Sequence, residues 1–246
     1  MGFVIVLVLA CGFTAVAARS IKAVPVLWYG LAFALDVLYA YGIVFSLPPV
    51  VLQILSVVVQ RAALATALFA IVMYIGVFPE HSAVRRRIGP IRGELSLIAC
   101  ILACGHCANY LSSYFGVLVE GLGAVGGNQA ASLVIALVLL VLLLVLGATS
   151  IKALKLRMRA STWKSVQQSA YVFFGLIYVH EVFILYPSVI KGTGDALVTC
   201  VAGGIVFGVY FLARFVKYLV DRKKRYARSH VLFDGEGDRG AYGDQE

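Results

Sequence analysis

The sequence predicts an all-α fold, a polytopic membrane bundle of about seven transmembrane helices. Two observations support this prediction. First, 61% of the 246 residues are hydrophobic and only 13% are charged, whereas a soluble domain carries roughly a quarter charged residues. Second, the apolar runs are long and lack the alternation of a β-strand. Because a backbone in lipid must satisfy its own hydrogen bonds, such runs are expected to be helices.

The apolar runs place seven candidate spans along the chain. They cover residues 2–18, 25–45, 60–78, 94–119, 129–148, 167–186 and 196–219. A span needs about 20 apolar residues, so the first candidate span is near the lower limit of length. The alternative interpretation of this segment is a signal peptide that is removed from the mature protein. The apolar segment 48–59 lies between Pro48-Pro49 and Arg61. It is too short to span, which leaves a re-entrant segment, an interfacial segment or an extension of the third span.

Lysine and arginine residues alternate between the connections. The connections after the first, third and fifth spans and the segment after the seventh are basic, those after the second and fourth carry none, and the one after the sixth holds only Lys191. The positive-inside rule then places the N-terminus outside and the C-terminus in the cytoplasm. The net charge of +9 is thus explained by topology rather than by nucleic acid. The polar tail, residues 221–246, is predicted to be disordered.

Polar groups inside a span are costly and are functional candidates by default. Those of this chain are Asp36, His106, Asn109, His180 and Glu181. His106 and His180 lie about 18 to 20 Å above the cytoplasmic ends of two parallel spans, at the rise of an α-helix. Two imidazoles at one depth match the axial ligation of a haem iron by a helical bundle. The alternative for each ring, a hydrogen bond to a neighbouring helix, is favoured for a lone histidine and less so for a pair.

Three cysteines share the fourth span with His106. Cys100, Cys104 and Cys107 cluster within about 60° on one helix face, and the histidine lies about 100° away from the nearest of them. This separation disfavours a zinc site with thiolate ligands, and Cys104-Gly-His-Cys107 is not the C-x-x-C-H motif of covalent haem. We interpret the cysteines as small helix-packing residues.

The face of the fourth span that carries His106 is small and polar. Its other members are Ala99, Ala103, Asn109, Tyr110 and Ser113. A planar macrocycle or another helix could approach such a surface closely. Asn109 and Tyr110 are predicted to orient the imidazole or a haem propionate.

Several motifs together resemble the ferric reductase-like transmembrane haem-binding family, and within it the haem-binding membrane subunits of bacterial periplasmic methionine sulfoxide reductase systems. The matching residues are Arg85-Arg-Arg-Ile-Gly89, His106, Tyr110, Thr149-Ser150, Trp163-Lys164, Tyr171 and His180. The resemblance covers about residues 25–220 and implies a six-helix core there, with residues 1–24 as an added N-terminal helix and basic loop. It further implies one or more haem b groups, with His106 and His180 as axial ligands of the iron. It also implies a place in the bacterial cytoplasmic membrane and an extracytoplasmic oxidoreductase as partner.

The chain departs from the pattern of that family at one position. The family often carries a second histidine near the cytoplasmic end of the later ligand helix, where this chain has Gln167. At the corresponding depth of the fourth span lie Arg92 and Gly93, which are not haem ligands. We therefore expect a single haem near the outer leaflet, and a membrane quinol or a partner subunit rather than a cytosolic flavin as the electron donor.

Two functions from other classes remain open at this stage. The first is a membrane thiol oxidoreductase that uses Cys104 and Cys107 with a quinone. The second is a small transporter with Asp36 and Glu181 in a polar path. The sequence also leaves open whether Asp36 pairs with Arg61 or serves as a proton or quinol site.

Overall fold

A computed structural model describes residues 2–121 and 125–240, without the side chains of Val44, Leu118 and 224–240. Over these residues the chain is helical and contains no strand. The helices are α1 (Gly2–Ala23), α2 (Pro25–Phe45), α3 (Pro49–Leu55), α4 (Ala63–Ile75), α5 (Ala83–Ile88), α6 (Arg92–Glu120), α7 (Gly127–Ser150), α8 (Lys152–Arg157), α9 (Ala160–Ile190) and α10 (Gly194–Gly240). A π-helical turn (Ser56–Gln60) follows α3, and a 3-10 turn (Gly89–Ile91) precedes α6.

The predicted polytopic membrane fold is confirmed. Among the described residues, six helices are long and apolar enough to cross a bilayer, and a bent helix pair makes a seventh if it counts as one span. Between 11% and 28% of the residues in each apolar window are buried. The second span has the predicted bounds, residues 25–45. Its helix begins at Pro25, a position where the missing amide hydrogen costs nothing, because the first amides of a helix have no partner within it.

The bent pair is the region where the predicted spans and the structure differ most. Helix α3 and the π-helical turn together form one arm, Pro49–Gln60, which meets α4 at an angle of 41°. At the junction Ala62 adopts a left-handed backbone with φ of 51°. Segment 48–59 is therefore mostly helical and continuous with the third span, as a broken span or a re-entrant loop.

Helix α4 is the most buried helix of the described chain. Nine of its thirteen residues are buried, and four of those nine are alanines, at 63, 65, 67 and 70. Small side chains let helices approach closely in lipid, and α4 packs against α1, α6 and α9. Residues Ala10, Ala18 and Ile21 of α1 belong to the same core. The described part of the predicted N-terminal segment 1–24, which begins at residue 2, is thus packed into the helical core.

The chain divides into two compact units, residues 1–207 and residues 208–246. The first unit contains α1 to α9 and the beginning of α10, and the second contains the rest of α10. Helix α10 continues to Gly240, and the disorder predicted for residues 221–246 stays a prediction. Extension of an existing helix needs no new nucleus, so polar residues can be added to it at little cost. Residues 241–246 lie outside the described residues.

The basic connections of the first unit share one end of the helices. At the end of α1, Lys22 Nζ lies 3.1 Å from Glu94 Oε1 near the start of α6. Arg92 lines one cavity together with Ser150 at the end of α7 and Gln167 in α9. The loops that follow α1, α4 and α7 therefore lie at the same end, which is the arrangement that alternating basic connections require.

The left-handed residue between the two arms of the broken span leads to a prediction on stability. Substitution Ala62→Gly should raise the free energy of unfolding by about 1 kcal/mol, because a Cβ atom is unfavourable at this φ. Ala62→Val should lower it, since a β-branched side chain is more strongly excluded there. Thermal unfolding in detergent measures both changes.

The matched control is Ala108→Gly, at an exposed position inside α6. There the same substitution should lower the free energy of unfolding by about 1 kcal/mol, because glycine is unfavourable in a helix interior. Equal effects at positions 62 and 108 would contradict the left-handed assignment.

Candidate functional site

The two membrane histidines lie on helices of one four-helix group in the first unit. Helix α6, which carries His106, packs against α4 and α7, and α9, which carries His180, packs against the same two helices. Helices α6 and α9 therefore occupy opposite corners of a four-helix group. Side chains that point inward from opposite corners face each other across the centre of the group.

The two histidines lie at the same level in this group. Ser96 of α6 and Ala170 of α9 line one cavity near the basic end, and each lies ten residues before the histidine of its helix. Ten residues of α-helix correspond to about 15 Å, so both imidazoles lie at a similar height above that cavity.

The imidazole of His106 is held by a backbone carbonyl. Its Nδ1 atom lies 2.5 Å from the carbonyl oxygen of Gln60. Gln60 ends the π-helical turn, and the left-handed Ala62 interrupts regular helix bonding just after it, so this oxygen is available to a side chain. Because a carbonyl only accepts, Nδ1 carries the hydrogen and the lone pair lies on Nε2. That Nε2 has no hydrogen-bond partner in the described part of the chain.

The imidazole of His180 is held in the same way by α7. Its Nδ1 atom lies 3.1 Å from the carbonyl oxygen of Ser132 and 3.1 Å from its hydroxyl oxygen. Ser132 is itself buried. The carbonyl acceptor again places the hydrogen on Nδ1, and Nε2 has no partner within residues 2–121 and 125–240.

This pair of imidazoles has the donor chemistry of a metal-binding site. A ligating histidine usually donates its second ring hydrogen to a carbonyl, which orients the ring and raises its basicity. In the described chain, no group of three or more His, Cys, Asp or Glu residues could hold a metal ion. A zinc site, which needs three or four protein ligands, is therefore not supported. Two histidine nitrogens suit an iron whose other ligands come from a macrocycle.

Of the two residues expected to orient the ligands or a propionate, one lies against His106. The ring of Tyr110 packs beside the imidazole, with 4.9 Å between the ring centroids. Asn109 donates its side-chain amide to the Gly105 carbonyl of its own helix at 2.9 Å. The Tyr110 ring thus lies beside the His106 imidazole, while the amide nitrogen of Asn109 is already engaged.

Gln60 and Ser132 could not be identified from the sequence as the partners of the two histidines. Both act through a backbone carbonyl, which any residue carries, so residue type gave little signal. The only hints were a polar pair, Gln60-Arg61, inside an apolar run and one serine near the start of an apolar helix. Their roles depend on the break before α4 and on the packing of α7 against α9.

Asp36 lies against the turn of α6 that carries His106. It is 9% exposed, and its Oδ1 atom has no hydrogen-bond partner in the described part of the chain. A Cβ atom built on Gly105 would overlap the Asp36 carboxyl group. Of the two sequence alternatives for Asp36, an ion pair with Arg61 does not occur among the described residues.

Glu181 lies at a different helix interface. Its Oε2 atom would be 3.2 Å from a Cβ built on Gly203 in α10, and the neighbouring Tyr178 donates its hydroxyl to the Cys200 carbonyl at 3.2 Å. Asp36 faces α6, whereas Glu181 faces α10. The structure therefore does not bring the two carboxyl groups of the transporter alternative to one helix interface.

The cysteines are free thiols, and Cys100 lies at a helix contact. Cys100 donates its thiol to the Leu143 carbonyl of α7 at 3.8 Å, and a Cβ on Gly147 would lie 2.5 Å from its Sγ atom. Cys104 lies within electrostatic range of Asp36. No disulfide joins any of the five cysteines, all of which the structure describes.

Residues that carried the family resemblance meet at the basic end of α7 and α9. Trp163 donates its indole hydrogen to the Thr149 carbonyl at 3.0 Å, and Gln167 donates its amide to the Thr149 hydroxyl at 2.9 Å. Lys155 lies over the Trp163 ring, 4.2 Å from its centroid. Gln167 thus links α9 to α7 at the position where a second histidine was considered.

Comparison with known proteins finds a relative that matches part of this chain and part of its own length. Over 165 residues the chain is 37% identical to an uncharacterized protein of Treponema pallidum (strain Nichols). The alignment covers 66% of this chain and 45% of the relative, so the chain spans less than half of the relative's length. No family model and no solved structure matches the chain.

The contact between Asp36 and α6 leads to a second prediction. Gly105→Ala should lower the free energy of unfolding by about 1–3 kcal/mol, because the added methyl group forces a buried carboxyl group and a helix apart. Gly116→Ala is the control in the same helix, since nothing lies within 4 Å of a Cβ built there. It should be neutral or stabilising, because alanine favours a helix over glycine. Thermal unfolding that ranks the two variants equally would show that α2 does not pack at Gly105.

Proposed function

We propose that the protein is an integral membrane b-type cytochrome. It relays electrons, taken from the quinol pool, to an oxidoreductase partner on the extracytoplasmic side through one haem with two histidine ligands. The observation that supports this best is the matched state of His106 and His180. Both rings lie at one level on opposite corners of a helix group, both donate Nδ1–H to a carbonyl, and both keep Nε2 free.

The residues present fit the haem on chemical grounds. His106 and His180 would supply the two axial nitrogens, and a bound haem would supply an iron that alternates between its ferric and ferrous states. The Gln60 and Ser132 carbonyls would hold the two rings in their ligating tautomer. Tyr110 would cover one side of the His106 ring. The surrounding apolar helices would exclude water from the site.

The proposal includes a single haem. A second macrocycle nearer the basic end would need ligands at the depth of Gln167 and Arg92. Gln167 is instead bonded to Thr149, and Arg92 carries no lone pair that an iron could bind. This supports one haem on the side away from the basic loops.

The charge pattern supports the proposed orientation. The shared basic end of α1, α6, α7 and α9 would face the cytoplasm of a bacterial cell. The two histidines would then lie in the outer half of the bilayer, about 15 Å beyond the level of Ser96 and Ala170. An acceptor on the outer face would be nearer to them than a donor in the cytosol.

The two histidines can be tested individually. Purified wild-type protein, produced with haem supplied, should show a Soret band and the sharp α-band of a six-coordinate b-type cytochrome on reduction. His106→Ala and His180→Ala should each lose most of the bound haem, because each removes one axial ligand. Absorption spectra with protein quantification measure this loss.

The matched control is His81→Ala, which alters an exposed histidine in the connection between α4 and α5. It should bind haem as the wild type does. A colourless wild-type protein, or full haem retention in both membrane-histidine variants, would refute the proposed function.

The number of haems is a separate prediction. The ratio of haem to protein, from pyridine haemochrome absorbance and amino-acid analysis, should be close to one. Gln167→Ala should leave that ratio unchanged, since Gln167 is not expected to be a ligand. A ratio near two in the wild type would contradict the single-haem arrangement while leaving the pair of histidines intact.

A further inference from the structure

Building on the proposed function, we propose that Arg61 binds a haem propionate, with Tyr110 beside it. The inference concerns how the site holds the anionic edge of its cofactor, and it assigns a role to a charged residue in the middle of a broken membrane span. It rests on three observations: the scarcity of cations at this depth, the position of Arg61 next to Gln60, and its relation to Tyr110.

Positive charge is scarce in the apolar part of the chain. Arg61 is the sole lysine or arginine between residues 23 and 84, and segments 93–151 and 165–190 contain none. These segments include α4, most of α6, α7 and most of α9, which form the four-helix group of the histidines. An arginine inside a span is costly unless it has a partner or reaches the interface. In the described part of the chain, Arg61 forms no ion pair.

The backbone of Arg61 is tied to the ligand site. Arg61 follows Gln60, whose carbonyl holds His106, and its own amide donates to the Ser56 carbonyl at 2.9 Å. The π-helical turn and the left-handed Ala62 therefore place the start of this side chain one residue from the group that orients the imidazole. π-helical turns inside helices often mark functional sites.

The charge of Arg61 acts on a residue that contacts His106. Arg61 lies within electrostatic range of Tyr110, and the Tyr110 ring lies 4.9 Å from the His106 ring, centroid to centroid. Tyr110 is one helical turn beyond His106 along α6. Through Gln60 and Tyr110, Arg61 is thus close to the His106 ring. Arg61 and Tyr110 are a cation and a phenol that can both donate to a carboxylate.

The chemistry of a haem calls for such a pair. Its two propionates are anions, and a carboxylate in a medium of low dielectric is costly unless a charged donor compensates it. A guanidinium offers planar, paired hydrogens that match a carboxylate. The acidic side chains of the spans, Asp36 and Glu181, carry the same negative charge as a propionate when they are ionised, and would repel it. The competing account is that Arg61 extends along the helix to lipid headgroups.

The test compares haem with haem dimethyl ester, in which both propionates are neutral. Apoprotein in detergent is loaded with each, and the rate of loss to an excess of haem-scavenging apoprotein is followed by absorbance. The variants are Arg61→Gln and Arg61→Lys, and the control is Arg86→Gln, which removes an exposed arginine from α5. Resonance Raman spectra of the loaded proteins record the bending mode of the propionates.

We expect wild type and Arg86→Gln to lose the ester at least tenfold faster than haem, since a hydrogen bond to a charged group contributes about 1.5–3 kcal/mol. In Arg61→Gln the haem should be lost about tenfold faster than in wild type, and the advantage of haem over its ester should largely disappear. The propionate bending mode should shift in the same variant. Arg61→Lys should retain part of the advantage, because it keeps the charge but not the paired hydrogens.

Equal loss of haem and ester from the wild type would overturn the inference without any variant, so a folding failure of Arg61→Gln does not leave it open. An Arg61→Gln protein that keeps the wild-type rates and Raman mode would overturn it too, and would favour the lipid-headgroup account. Either result leaves haem binding by the wild type intact. A wild type that binds neither haem nor ester would instead refute the proposed function itself.

Discussion

The hydrogen bond between His106 and the carbonyl of Gln60 depends on a break in a membrane helix. A regular helix uses nearly all of its carbonyls internally and leaves few acceptors for a neighbouring side chain. Here the π-helical turn Ser56–Gln60 and the left-handed Ala62 interrupt that pattern and free one oxygen at the level of His106. The bond selects the tautomer with a free Nε2. The proposed metal-binding role of this ring depends on that tautomer.

The same principle applies to the other polar groups of the spans. In lipid, each needs a partner from the protein, and most partners here are backbone carbonyls of the same or a neighbouring helix. His180 uses Ser132, Tyr178 uses Cys200, and Asn109 uses Gly105. Two buried side-chain atoms of the described residues have no partner, Oγ1 of Thr14 and Oδ1 of Asp36 at the α2–α6 contact. The position of Asp36 against Gly105 makes it a structural part of that contact, whatever its protonation.

The candidate site could be predicted only in part. Histidines in a membrane span are rare and costly, so residue type alone identified His106 and His180 as candidates. Their partners at Gln60 and Ser132 could not be identified, since a carbonyl oxygen is common to all residues. The interaction of Gln167 with Thr149 was equally hidden, because it joins two helices separated by a loop. The bend at Ala62 was signalled only by the neighbouring Arg61, since neither glycine nor proline marks it.

The sequence by itself determined the fold class, the approximate spans and their alternating basic connections. These follow from hydrophobic length and charge, which act residue by residue against the bilayer. The tertiary structure decided which residues meet: the grouping of α4, α6, α7 and α9, the tautomers of the two histidines, and the contact of Asp36 with Gly105. It also decided that residues 221–240 continue α10 as a helix. These outcomes depend on packing between distant segments, and on helix extension from a neighbour, which local composition does not encode.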